Sequence, residues 1–519
     1  MTHKSILLIH PPVTKPCEPP AGLAKLAGSL REHGVDCRIL DASIDGLLHL
    51  LDRPAAASDT WTRRAWTRRT DHVQALRTMD LFGNRARYER AVMDLNRLLH
   101  TSALCFQTSL TLANYQSDRL SPVRSADLIQ AAEQYEANPF FAAFSAQLGA
   151  VWHDWEPDVV GVSINFMSQA LCAFAMIGFI RRQLPRTTVV CGGGLVSSWM
   201  RLPGRGSPFS GLIDDMVCGA GESRLIALCT GSDVPTDSVI GYDWDAFHRY
   251  RYLSPLRVMP YSTSRGCYWK KCAFCPETAE DAPYNTGPPR SISEDLKATG
   301  ARMGAGLIHF LDNALSPRFL GYLIDHPPGI PWYGFARVTR HLTDAGFVHG
   351  LRVAGCVMLK LGVESGDQAV LDALAKGVDI GMVSRALKTI HQAGIATYVY
   401  LLFGTPAENE ASANRTLAFT RDHAAHIDYL NLAVFNLPAH SRDAASLDTR
   451  EFYAGDLSLY REFVHPQSWN RNRVRPWLSK VFRKQAAIRQ ILNNDPPYFT
   501  SNHAPFFSLA KRSYPKLMR

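Results

Sequence analysis

The apolar positions of the chain fall into two series in which short continuous runs alternate with segments of helical period. In the first series, Ile6-Leu-Leu-Ile9 is an apolar run ended by Pro11-Pro12, and residues 23–32 carry apolar side chains at helical spacing before Gly34. Residues 36–40 read as a second strand, ending at Asp41. The pattern resumes at 158–164 and continues as a helix to about Arg182, a run at 187–191, a glycine turn at Gly192-Gly193-Gly194 and a run at 213–218. Runs of four to seven apolar residues between turn signals are the mark of strands buried on both faces, and their alternation with helices predicts an open parallel sheet.

The second series places strands at 258–262, 307–311, 332–336, 357–362, 397–403 and 429–435, with helical segments between most of them. Six such repeats predict a partial (β/α)6 barrel of the TIM type. The expected fold class is therefore α/β: an N-terminal Rossmann-like sheet over 1–230, a barrel over 231–440 and a basic helical C-terminal region over 441–519. About 46–155 reads as a mostly helical insertion into the first domain, and 451–492 reads as helix.

Composition changes this picture only in places. Hydrophobic residues make up 46% and charged residues 20% of 519, a globular balance. No apolar run reaches the roughly 18 residues that span a bilayer. The N-terminus opens into a strand without a cleavable leader, so the expectation is a cytoplasmic protein with no membrane association. The net charge of +9 is concentrated in 451–519, with 12 Lys/Arg against 4 Asp/Glu, and around Arg63, Arg64, Arg68 and Arg69. We read these stretches as solvated faces rather than a nucleic-acid surface. Trp469, Trp477 and Phe482 within the basic region are expected to pack.

Eight of the eleven cysteines are scattered singly and read as small core residues. The other three stand together, in Ser264-Arg-Gly-Cys267-Tyr-Trp-Lys-Lys-Cys272-Ala-Phe-Cys275-Pro276, just after the first barrel strand. Three thiols within nine residues can turn toward one point and suit zinc or an iron–sulfur cluster. No fourth Cys or His follows at knuckle spacing, which fits a cluster with one iron left open. Polar residues also gather at the strand ends where such barrels build their sites: Asp312-Asn313, Arg337, Glu364-Ser365 and Gly404-Thr-Pro406. Asp312 could equally cap a helix, Arg337 pair with a barrel carboxylate, and Glu364 cap the helix after it.

The C-x4-C-x2-C loop with Phe274 before its third cysteine, together with Leu361-Gly-Val-Glu-Ser-Gly-Asp-Gln-Ala-Val-Leu-Asp-Ala-Leu-Ala-Lys-Gly377, resembles the radical S-adenosylmethionine (SAM) enzymes. The loop is one residue longer than the commonest C-x3-C-x2-C form. The resemblance implies that Cys267, Cys272 and Cys275 hold a [4Fe–4S] cluster. By the same resemblance Phe274 and Gly404 belong to the SAM site, and Glu364 and Ser365 contact the SAM ribose or amino group. Asp312 would lie near the methionyl ammonium and Arg337 near the carboxylate.

The N-terminal segments resemble, in order, the cobalamin-binding domain of one subfamily. That likeness implies a corrin over the sheet's C-terminal ends, touching Ser163, Gly192, Gly193 and Gly194. The D-x-H-x-x-G motif that supplies a cobalt-ligating histidine elsewhere is absent. The implied activity is cobalamin-dependent methylation of an unactivated carbon on a small molecule or peptide, with a flavodoxin or ferredoxin as electron donor. A cobalamin-independent radical enzyme and a zinc-stabilised nucleic-acid-binding protein are the alternatives.

Overall fold

The computed structural model describes residues 3–53, 59–202, 208–233 and 241–495, with Phe506. The C-terminal half of the basic region, from 496 onward apart from Phe506, lies outside the described residues, as does part of the connection near 233–245. The chain divides into two compact units. One comprises the residues up to Arg257 with Tyr453–Leu459, the other 258–452 with 460–495.

In the first unit five parallel strands, β1 (Ile6–His10), β2 (Cys37–Asp41), β3 (Val159–Ser163), β4 (Thr188–Gly192) and β5 (Asp215–Met216), lie in the order β2-β1-β3-β4-β5. Every residue of β1 is buried, as its unbroken apolar run requires. The order reverses between β1 and β3, the switch point at which sheets of this kind open a crevice. Helix Met167–Gln183 is buried along Gln169–Ile180 where helices Ser125–Glu133 and Phe141–Asp154 and the turn Tyr135–Ala137 pack against it. Gly178 permits that approach, since a Cβ there would run into the Ala132 carbonyl.

The insertion contains helices Thr60–Ala75, Arg85–Ala103, Ser125–Glu133 and Phe141–Asp154, with a hairpin pairing Thr108–Leu110 and Tyr115–Ser117. Its core polar group, Asp94, is 0% exposed and takes hydrogen bonds from Trp61 Nε1 at 2.7 Å and from His72 Nε2 at 3.1 Å. Of the basic stretch, Arg69 stacks on Trp66 and Arg64 lies 3.6 Å from Asp94.

In the second unit six parallel strands follow one another in order: β6 (Val258–Tyr261), β7 (Leu307–Phe310), β8 (Trp332–Ala336), β9 (Cys356–Glu364), β10 (Ala396–Phe403) and β11 (Tyr429–Val434). The first and last do not pair, so the barrel is open. Alternate residues face the helices and the interior. Tyr261 reaches helix Pro289–Met303 through Asp295, and Phe310 packs on Phe319. On the inner face His309 stacks on Tyr333, Lys360 Nζ lies 3.2 Å from His309 Nε2, and Phe335 meets Tyr400.

The C-terminal region is helical over Arg471–Lys480 and Ala486–Leu492, where Trp469, Trp477 and Phe482 pack on one another and on Phe403. Residues 451–463 correct the expectation of helix. Thr449–Glu451 and Tyr460–Phe463 are strands of a small antiparallel sheet completed by Leu437–Pro438. The segment Tyr460-Arg-Glu-Phe463 is only four residues long and carries no apolar–polar alternation, so nothing in it signals a strand. Between those strands, Tyr453–Leu459 belongs to the first unit, where Asp456 takes hydrogen bonds from the Ser125 backbone and hydroxyl at 2.8 and 2.7 Å.

Candidate functional site

The three-cysteine loop leaves β6 through a closed neck. Ser264–Arg265 pair antiparallel with Asn285–Thr286, and Gly266 sits at φ +70° where a Cβ would strike the Pro283 carbonyl. Cys272 and Cys275 are joined by a turn, Cys275 N–H to Cys272 O at 3.2 Å, after which Pro276 starts a short helix. Cys272 is 8% exposed, while Cys267 and Cys275 are half-buried. Burial pushes the Cys272 thiol up, opposed by Lys376 and Arg337 and reinforced by Glu364 and Cys267. Burial likewise raises Cys275.

The loop is seated on one turn at the end of helix Gln368–Ala373. Ala273 N–H donates to Leu374 O at 3.0 Å, and Trp269 Nε1 donates to Ala375 O at 3.1 Å. Gly377, at φ +66°, lies so close to the Trp269 ring that any side chain there would displace it. Asn313 Nδ2 adds a contact to Gly266 O at 3.3 Å.

The expected SAM-site residues fall into two groups. Arg337, Glu364 and Phe274 converge on this turn. Arg337 Nη1 donates to Cys272 Sγ at 3.7 Å and Nη2 to Lys376 O at 2.6 Å, while its guanidinium carbon stands 4.1 Å from the Trp269 ring centre. Glu364 Oε1 receives Lys376 Nζ at 2.8 Å, and the same ammonium lies 5.4 Å from the Phe274 ring. Lys376 is the residue that sequence reasoning passed over, although Lys-Gly closes the very segment that carries the family resemblance.

Asp312, Ser365 and Gly404 are engaged within the fold. Asp312 accepts from Thr263 N–H at 3.0 Å, Thr263 Oγ1 at 2.6 Å and Ser264 Oγ at 2.6 Å, tying the loop's first residues to β7. Burial raises its carboxyl, and the Ser264 and Thr263 hydrogen bonds oppose that rise. It caps no helix; Ser316 caps the one that follows. Ser365 Oγ lies 3.0 Å from Thr416 Oγ1 and accepts from Asp367 N–H at 3.1 Å. Gly404 takes φ +79° at the end of β10, and its N–H donates to buried Glu408, whose carboxyl burial pushes up to about 8.

A [4Fe–4S] cube takes each cysteine on a different iron, so its ligands stand farther apart than the donors of a single ion. Among the described residues no three His, Cys, Asp or Glu side chains close on one ion. The donor set suits the cube: three thiols on a pinned loop, with Arg337 and Lys376 beside Cys272 to balance thiolate charge. Of the remaining cysteines, Cys17, Cys37, Cys172, Cys191, Cys229 and Cys356 are buried, and burial drives Cys37 and Cys172 up to about 12. Cys105 and Cys218 are exposed.

In the first unit, the ends of β3 and β4 are bridged by Asn165, a residue the sequence reading did not single out. Its Nδ2 donates to Ser163 Oγ at 3.1 Å and its Oδ1 accepts Gly194 N–H at 3.0 Å. Gly193, at φ +106°, would place a Cβ 2.5 Å from Ile164 O and 2.9 Å from Asn165 Oδ1. Gly192 is half-buried, Gly194 exposed and Phe166 51% exposed, so this rim presents backbone and one ring to solvent. At the end of β1, His10 is buried with Nε2 2.8 Å from Thr14 Oγ1, and burial lowers its pKa to about 3.

Residues 261–420 match the family model described as the Radical SAM superfamily. Two curated relatives, both anaerobic magnesium-protoporphyrin IX monomethyl ester cyclases, are similar to part of the chain. That of Rubrivivax gelatinosus is 24% identical over 221 residues, 40% of this chain and 39% of its own length. That of Cereibacter sphaeroides is 23% identical over 191 residues, 35% of this chain and 31% of its own. The matches thus span well under half of those relatives. Among solved structures, the radical SAM methyltransferase TsrM of Kitasatospora setae with tryptophan and a SAM analogue bound has a TM-score of 0.54 at 16% identity, over 95% of this chain and 89% of that one. The same enzyme with cobalamin and a [4Fe–4S] cluster bound has a TM-score of 0.50 at 16% identity, over 86% and 78%. These likenesses show the fold. Among the described residues no helix is long and apolar enough to cross a membrane.

Proposed function

We propose that this chain, whose residues 261–420 form a radical SAM domain, is a cobalamin-dependent radical SAM methyltransferase acting on an unactivated carbon of a small molecule or peptide. One observation carries the reading. The loop bearing Cys267, Cys272 and Cys275 is pinned at the C-terminal mouth of an open parallel barrel, against the cations Arg337 and Lys376. A cluster held there, when reduced by a flavodoxin- or ferredoxin-type donor, supplies the electron that splits SAM into methionine and a 5′-deoxyadenosyl radical. Cobalamin supplies a methyl carrier.

This chain's residues supply position. Glu364 and Phe274 offer a carboxylate and a ring at the mouth, and the inner face of the barrel offers Phe335 and Tyr400 toward a substrate. A radical reaction needs one substrate hydrogen held in line and water kept out. For the corrin, the rim of Ser163, Gly192, Gly193 and Gly194 supports binding, since bare backbone lets a flat ligand approach. TsrM, the methyltransferase of like fold, is described with cobalamin bound.

The cyclase relatives favour a second reading, in which the substrate radical closes a ring instead of taking a methyl group. Anaerobic reconstitution with hydroxocobalamin, followed by turnover with methyl-deuterated SAM, separates the two. Retained corrinoid and a deuterated methyl on the product support methyl transfer. Failure to retain corrinoid removes it.

A further inference from the structure

The resemblance assigns Arg337 to the carboxylate of SAM, but its geometry is directed elsewhere. Arg337 is 7% exposed, and among the described residues no carboxylate pairs with it. Nη1 points at Cys272 Sγ, Nη2 at the Lys376 carbonyl, and the Trp269 ring covers the guanidinium face. Trp269 is itself fixed to Ala375 O and Gly377, so the cation, the ring and the cysteine loop share one support, residues 374–377.

An N–H···S bond and a positive charge beside a cluster ligand both favour the form carrying one more electron, because hydrogen bonds to sulfur and local charge set a cluster's potential. On the functional reading above, we propose that Arg337 is a positioning residue for the cluster: it donates to the Cys272 ligand sulfur and raises the cluster's reduction potential, with Lys376 adding to the same field. The reduction it favours is a single-electron transfer from the external low-potential donor, taking the cluster from the 2+ to the 1+ state with no bond broken and no proton moved. Glu364 balances the Lys376 charge at 2.8 Å, so that pair taken together adds less to the field than Arg337 does.

The full-length chain, reconstituted anaerobically, is titrated redox-potentiometrically with EPR detection and without SAM. Arg337→Met is expected to move the midpoint to more negative potential, Arg337→Lys to fall between it and the parent, and the double variant Glu364→Gln with Lys376→Met, which removes the ion pair as a unit, to give a smaller shift than Arg337→Met. If Arg337→Met does not hold its cluster, Arg337→Lys against the parent decides: a more negative midpoint supports the proposal and an unchanged one overturns it. An unchanged midpoint in Arg337→Met or Arg337→Lys, with SAM binding weakened in equilibrium dialysis, would place the arginine on the cofactor carboxylate and overturn the proposal. A parent protein that takes up no [4Fe–4S] cluster at all refutes the functional reading itself, a result visible before any variant is made.

Discussion

Lys376 Nζ lies 2.8 Å from Glu364 Oε1, and Glu364 holds a left-handed backbone at φ +68° where β9 slips register against β10. Both side chains are at most 10% exposed. A non-glycine residue rarely adopts this conformation, and such strain collects at functional sites. Gly362 makes room for the pair, since a Cβ there would lie 2.5 Å from Glu364 Oε1 and 2.8 Å from Lys376 Nζ. Removing either partner leaves a buried charge uncompensated, at a cost of about 3–5 kcal/mol. Urea denaturation of Glu364→Gln, Lys376→Met and the double variant checks this: the double variant should be less destabilised than the two single losses added together. Strict additivity would mean the pair does not interact.

Glu408 gives a pH dependence of known sign. Its pKa is raised from 4.5 to about 8 by burial, so its contribution to stability is full below pH 4.5 and is lost as pH rises toward 8. Glu408→Gln keeps a carbonyl to accept the Gly404 N–H and cannot ionise. Urea midpoints at pH 5.5 and 8 should converge toward, or cross in favour of, the variant at the higher pH. Parallel profiles for the two proteins would contradict the assignment.

At the rim of the first unit, Gly193→Ala is expected to destabilise by about 1–3 kcal/mol through its positive φ, and further through contact with the Ile164 carbonyl. Gly194→Ala, whose Cβ would meet only ordinary van der Waals neighbours at 3.8 and 3.9 Å and whose backbone is exposed, should be tolerated much better. Thermal melts of the two variants decide; equal losses would mean that the close approach of β3 and β4 does not depend on Gly193.

Much of this was legible in the sequence, for local reasons. The strands stand within one or two residues of their expected places because most are short apolar runs bounded by turn residues, as Ile6–His10 and Trp332–Ala336 illustrate. The cysteine trio was legible because its spacing is short-range. What was not legible depends on partners far apart in the chain. Trp269 meets Ala375 across 106 residues, and Arg337 meets Cys272 across 65. Asn165 bridges two strand ends through Gly194, 29 residues on, and nothing in its immediate neighbours signals that. The sheet at 449–463 escaped for the opposite reason, its strands being three and four residues long.

The central claim is most directly tested by anaerobic reconstitution of the parent and of the Cys267→Ala, Cys272→Ala, Cys275→Ala triple variant, with iron, sulfide and zinc measured per chain. The parent should be brown, bind about four iron and four sulfide, and release 5′-deoxyadenosine when reduced with SAM; the triple variant should do none of these. A colourless parent with one zinc per chain and no 5′-deoxyadenosine would contradict the account.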